Sequence, residues 1–400
     1  MTAPLRVLVV GPGAAAASDA LRFEAFVPDL AEHSVELVNW TPGEPTADAG
    51  ALEKLEAAIG WCEVLVLRRQ YRTWHSCVGC GFRTMAAAEA KSHGRWAGHE
   101  VVLAPYFAIR PLVGLVEAEP GVLGGRAIVY DTDDDFFTAD RAGGPDDMLE
   151  RDLVERILNV ADLVTTSTPV LAERLSSRTT APVRVLRNAL DPSWYEAGQA
   201  EGPGTAPGSP RVVYHGAAAR LRDYELARTA VDAVARDIPS MRRVWLGGDP
   251  GKLGDVVDEV RPWVRGLPAF AASLVAARPD IGLAPLADSP YNRARSELHW
   301  LEYALAGAPT IVSGFTGPNP YDVVRDGVDG LVARSDADWE RHLRSLAGSA
   351  DLRATVAGRA RERVLGEYTV AGRAAEWADA YRWASGHAGA GQARTAVSGS

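Results

Sequence analysis

The chain has 400 residues, which at roughly 100–200 residues per domain implies two domains. Its 42 basic and 52 acidic residues leave a net charge of −10, and 47% of the residues are hydrophobic against 24% charged. This excludes a collagen-like, mostly disordered or disulfide-framed chain, and a general nucleic-acid coat, which needs positive charge. Only three cysteines occur, so a reducing compartment is expected. The opening MTAPLRVLVVGPG has too short an apolar run for a signal-peptide core, and no run approaches the ~20 apolar residues of a membrane span. A cytoplasmic protein with no membrane span is expected. Lys occurs three times, so nearly all positive charge is Arg.

Short apolar runs alternate with helix-compatible stretches along the first half. Strands are expected at 5–10 (ended by Gly11-Pro12-Gly13), 35–38, 63–67, 127–130, 163–165 and 183–186. Helices are expected at 18–33, 51–59 and 149–161, and from Thr168, where Pro169 suits the first helical position. Residues 196–210 (EAGQAEGPGTAPGSP) lack large apolar residues and read as a linker. The alternation then restarts, with strands at 212–214, 244–246, near 281–285, at 310–313 and at 330–333, and helices at 224–235, 296–306 and through 337–384. Gly307 is placed to end the 296–306 helix.

Continuous apolar strands alternating with helices predict two α/β domains, each a doubly wound parallel sheet. The expected division is 1–195, a linker at 196–210, a second domain at 211–368, a helix at 369–386 crossing back, and a disordered tail at 387–400. In such sheets ligands lie beyond the carboxyl ends of the strands, so two crevices are expected to face each other as one cleft.

Residues 285–335 carry an ordered series: a strand end near Pro285, then SELHWLEYALAGAPTIVS, a Gly-rich turn, and VVRDGVDGLVA. This series resembles the nucleotide-sugar-dependent glycosyltransferases of the GT-B fold, within them the retaining family-4-like group. The resemblance covers most of the chain and is strongest here. It implies a retaining transferase that moves a sugar from a nucleotide-diphosphate sugar to an acceptor hydroxyl, without a catalytic metal. Glu302 would hold the ribose hydroxyls, a task suited to a carboxylate. Ser296 would cap a helix whose first turn faces the diphosphate, with Arg295 and His299 beside it. The fuller family pattern has a Glu where this chain has Ala294. Gly216 and the following loop with Arg220 and Arg222 would also reach the donor.

In the first domain, Gly13 in the loop after the first strand resembles the glycine loop that faces donor and acceptor. Arg22 matches a family preference for Arg at that place. Arg69, after VLVL, is an expected acceptor-side residue. IVYDTDDD (128–135) resembles a motif of a subset of these enzymes. Its Asp131, Asp133 and Asp134 either meet the acceptor, Asp131 and Asp133 being the catalytic candidates, or form a turn that caps a helix. No general base is named by the sequence.

Five of the 11 Cys and His residues fall within 75–99, where chance places about one. Cys77-x2-Cys80-x12-His93-x5-His99 matches the ligand spacing of a two-Cys, two-His zinc finger, in which both His lie on a helix. A structural zinc is expected in an inserted module at 71–100. Residues 68–99 hold six basic residues and one acidic, a local inversion of the overall charge. This keeps DNA or another anionic acceptor among the expected partners. Two alternatives stay open: a nucleotide-sugar epimerase or hydrolase on the same fold, and a zinc-finger interaction protein with a degenerate transferase site.

Overall fold

The structure is a computed structural model that describes residues 3–10, 21–40, 50–68, 74–77, 81–82, 99–102, 112–119, 121–138, 151–196, 209–216, 221–247, 250, 257–262, 264 and 266–390. The described residues divide into two compact units. One takes those up to Phe137, those from Arg151 through Leu186, and those from Ala374 onward; the other takes Thr138 and Arg187–Arg373.

The first unit carries strands β1 (Leu5–Val10), β2 (Val35–Trp40), β3 (Val64–Arg68), β4 (Trp74–Cys77), β5 (Gly81–Phe82), β6 (His99–Val102), β7 (Ala127–Thr132), β8 (Leu163–Thr166) and β9 (Val183–Val185). Six of them form one parallel sheet in the order β2-β1-β3-β7-β8-β9. The central runs VLVLR and AIVYDT are buried at every position, as expected for strands covered on both faces. Edge strand β2 begins with alternating buried and exposed residues. A second, antiparallel sheet has the order β5-β4-β6.

The helices of this unit are α1 (Val27–Glu32), α2 (Gly50–Trp61), α3 (Arg151–Val160) and α4 (Pro169–Ser176). The Thr168 hydroxyl accepts the Leu171 amide hydrogen, and Pro169 follows it, so α4 starts as its sequence predicts.

The second unit carries β10 (Arg211–Gly216), β11 (Arg242–Gly247), β12 (Glu259–Pro262), β13 (Ile281–Ala284), β14 (Thr310–Ser313) and β15 (Leu331–Ala333), in one parallel sheet ordered β12-β11-β10-β13-β14-β15. Its helices are α5 (Leu221–Asp237), α6 (Leu267–Ala276), α7 (Pro290–Arg293), α8 (Leu298–Leu305), α9 (Asp336–Gly348) and α10 (Ala350–Glu367). A last helix, α11 (Val370–Gly386), belongs to the first unit from Ala374 on. There Trp377 lies 4.8 Å from the Phe26 ring and 5.7 Å from Phe23. No described helix is long and apolar enough to cross a membrane.

Among the elements that the sequence pattern misses are β12 and α6. Strand β12 has alternating, half-exposed residues and no apolar run. Helix α6 is apolar on most sides and follows Gly266 at φ +84°, so it shows no helical stripe. The expected boundary at 195 also moves, to 186/187. Residues 187–195 are held by the second unit: Asn188 donates to Ser296 Oγ at 2.9 Å, and the backbone of Leu190 bonds Tyr368 and Val370. These are tertiary bonds that no local pattern announces.

Candidate functional site

In the second sheet the strand order runs outward in opposite directions from β10 and β13. Crossovers leave to both sides there and open a crevice beyond the strand ends. His215 is the penultimate residue of β10, and Gly216 ends it. Gly216 pairs in register with Gly247, whose φ is +150°, and a Cβ on Gly247 would stand 2.0 Å from the Gly216 carbonyl oxygen. The two backbones therefore approach at the strand ends more closely than a side chain allows.

Glu302 comes from α8, a helix of eight residues fixed from several sides. Trp300 donates its indole N–H to the Asp329 carbonyl at 2.7 Å, and the Tyr303 hydroxyl donates to the Val213 carbonyl at 2.8 Å. The Tyr303 ring covers Gly282 so tightly that a Cβ there would stand 2.4 Å from it. At the end, Gly307 has φ +81°, its amide bonds Ala304, and the Ala308 amide bonds Tyr303. This is a Schellman closure, as the Gly307 position predicts.

With Trp300 and Tyr303 anchored, Glu302 Oε2 sits 3.2 Å from His215 Nε2. The His215 ring lies 4.2 Å from that of His299, 4.9 Å from Tyr303 and 5.2 Å from Phe270. Glu302 is 3% exposed, and burial pushes its carboxyl up to about 8. Buried Tyr195 stands near enough that the Glu302 charge, after burial, raises its hydroxyl further. A carboxyl held this way can donate to one hydroxyl and accept from another.

The helix start differs from expectation. Ser296 does not cap α8; its Oγ accepts from Asn188, and Glu297 is the N-cap residue without a side-chain cap bond. Glu297 is 1% exposed and pairs with Arg187 at 3.1 Å. Burial raises its carboxyl despite Arg187, which lowers it. Arg295 lies 5.8 Å from the Tyr291 ring. Arg222 is exposed in the first turn of α5. Gly13, Arg69 and Arg220 lie outside the described residues. His215 and Glu297 were not singled out from the sequence, although the strand-end position of His215 was available as a signal.

In the first unit, Asp131 is fully buried at the end of β7, in register with Arg68. Arg22 grips both its oxygens, at 2.8 and 2.5 Å; Thr165 donates at 2.7 Å, and Arg68 Nε is 3.2 Å away. Burial alone would raise its carboxyl, but Arg22, Arg68 and Thr165 together hold it below the usual range. Arg22 also donates to the Leu186 carbonyl and lies over Trp377. As folded, Asp131 offers no oxygen to an acceptor and is the counter-ion of two buried guanidiniums. Asp133 pairs with Arg68 at 3.0 Å, and Asp135 with Arg174 at 2.6 Å. Asp134 is half-buried, and its amide bonds the Thr132 hydroxyl in a turn.

Of the four expected zinc ligands, Cys80 and His93 lie outside the described residues. Cys77 and His99 are direct partners across antiparallel β4 and β6. His99 thus opens a strand, where the finger pattern predicts a helix.

Two doubly wound sheets of this topology define the GT-B fold, the fold of many glycosyltransferases. Residues 227–379 match the model of the family described as glycosyl transferase-like. Among solved structures, Anabaena HepE in complex with UDP-glucose is similar over 95% of this chain and 100% of its own, at 12% identity and a TM-score of 0.62. Sucrose-phosphate synthase from Thermosynechococcus elongatus is similar over 95% and 98%, at 13% identity and a TM-score of 0.62. A glycosyltransferase from Rickettsia africae is similar over 95% and 98%, at 8% identity and a TM-score of 0.56. No curated protein matches the sequence.

Proposed function

We propose that this chain is a glycosyltransferase that takes a sugar from a nucleotide-diphosphate donor, with uridine as the nucleoside, and passes it to an acceptor hydroxyl. The observation that carries the reading is Glu302. It is a buried carboxyl beyond the strand ends of a doubly wound sheet, with a histidine 3.2 Å from Oε2, on a helix whose sequence resembles the donor-binding stretch of these enzymes. UDP is chosen because the Anabaena relative was solved with UDP-glucose.

Retention of anomeric configuration is supported by the sequence resemblance, and NMR of the product anomer tests it. The central test is UDP binding to the wild type and to Glu302→Ala, by calorimetry and thermal shift, since a ligand of the native state raises its stability. Unchanged UDP affinity in Glu302→Ala would sink this reading.

A structural zinc held by Cys77, Cys80, His93 and His99 belongs to the same proposal. Its support is the ligand spacing and the cross-strand register that sets Cys77 opposite His99. Elemental analysis of the purified protein tests it; zinc retained equally after Cys77→Ser and Cys80→Ser refutes it.

A further inference from the structure

We propose that His215, His299 and Glu302 form a second metal site, suited to zinc-like divalent ions, and that this site shares Glu302 with the ribose of the donor. The sharing, though not the metal site itself, rests on the donor reading above. One ring nitrogen of each histidine and one oxygen of Glu302 lie within 4.8 Å of one another. The His215 Nε2 to Glu302 Oε2 separation is 3.2 Å. Two ligands at zinc-bond length on one tetrahedral ion stand about 3.3 Å apart. The two imidazoles are tilted by 51°, so they approach the common point from different directions.

All three ligands sit on regular, anchored elements. His215 is in β10, and His299 and Glu302 are three residues apart on α8. That i, i+3 spacing of histidine and glutamate puts both on one helical face, as in helix-borne metal sites. Two neutral imidazoles and one carboxylate suit zinc rather than magnesium or calcium, which prefer all-oxygen sets. Three protein ligands leave a fourth position open. Charge points the same way: Glu302 Oε2 is buried and accepts no hydrogen bond from the described residues, and a divalent ion supplies the opposite charge that a buried carboxylate lacks. A carboxylate bound to the metal through Oε2 cannot offer that oxygen, or a proton, to ribose hydroxyls. Metal and nucleoside therefore compete for Glu302, and free zinc weakens donor binding.

The site contains no thiolate, unlike the Cys77–His99 set, and cobalt(II) distinguishes the two by its spectrum. The full-length protein carrying Cys77→Ser and Cys80→Ser, stripped with a chelator, is titrated with Co²⁺ and then Zn²⁺. One equivalent of Co²⁺ is expected, with visible d–d bands and no thiolate charge-transfer band, displaced by Zn²⁺. His215→Ala and His299→Ala are each expected to weaken binding at least about tenfold. Absence of saturable binding, or affinity unchanged in both His variants, overturns the site. If the serine pair unfolds, wild type carries the test, with the nitrogen- and oxygen-ligated equivalent expected in addition to any thiolate-bound one.

Uridine has the ribose hydroxyls but no phosphates to chelate metal, so it is the competitor. Saturating uridine is expected to raise the apparent Kd for Zn²⁺ severalfold, and unchanged affinity overturns the sharing. If the His variants lose metal while Glu302→Ala binds UDP normally, the metal site stands and the donor reading alone falls.

Discussion

Tyr303 and Gly282 are in direct contact: the ring of the first occupies the space where the second would carry a Cβ. The phenol reaches past Gly282 to the Val213 carbonyl, pinning α8 to the adjacent strand. Gly282→Ala should therefore push Tyr303 and its neighbour Glu302 outward. Overpacking of this kind costs about 1–3 kcal/mol. A lower urea midpoint, corresponding to that loss of unfolding free energy, together with weaker UDP binding, is the expected result. An unchanged midpoint would show that the ring has room to move.

Glu302 makes stability depend on pH. Its carboxyl stands at about 8 in the folded chain against an ordinary 4.5, so the folded state holds a proton that the unfolded state has released. The favourable contribution is full below pH ~4.5 and is lost as pH rises toward about 8. Glu302→Gln removes the ionisable group. Thermal melts should show wild type losing stability relative to the Gln variant between pH 5 and 8.5, with the variant the more stable at the upper end. Parallel curves would refute the assignment.

The Arg22–Asp131–Arg68 cluster predicts a stability effect. Removing one partner of a buried ion pair leaves a charge uncompensated and costs about 3–5 kcal/mol. Arg22→Met should lower the unfolding free energy by that amount in denaturant titration, because Asp131 loses its two-pronged partner. Asp131→Asn should cost at least as much, because it removes the carboxylate shared by Arg22 and Arg68 and turns an amide N–H2 toward a donor. Its activity loss should track its loss of folded protein, whereas full stability with abolished turnover would return Asp131 to a direct chemical role.

Trp377 closes the first unit over Phe23, Phe26 and Arg22 and is 1% exposed. Truncating a buried Trp to Ala costs about 3–5 kcal/mol. Trp377→Ala should lower the melting temperature by several degrees or more; no shift would mean that the last helix contributes little to this unit.

Cys62 donates its thiol hydrogen to the Ile59 carbonyl, and burial pushes the thiol up to about 11. It should resist alkylation in the folded protein at neutral pH and react after denaturation. Peptide mapping after iodoacetamide treatment reads both states. Rapid native labelling of Cys62 would show that this strand start opens readily.

The sequence by itself determined the two-sheet α/β class, because buried parallel strands need continuous apolar runs such as VLVL and AIVY. It also placed the α4 cap at Thr168, the Gly307 helix end and Glu302 on its helix, since caps and short motifs are local. Only the tertiary structure decided what faces what. His215 and Glu302 are 87 residues apart in the chain yet meet at 3.2 Å, through the register of β10 with its neighbours and the anchoring of α8. Asp131 illustrates the reverse case. Its motif reads as a row of equivalent acids, and the fold separates them by burial: Asp131 is enclosed by Arg22 and Arg68, while Asp134 stays half-buried in a turn. The position of Ser296 suits a cap, but its hydroxyl accepts from Asn188, 108 residues earlier. Burial and long-range partners set the charge state and availability of a polar side chain, and neither is encoded in its immediate neighbours.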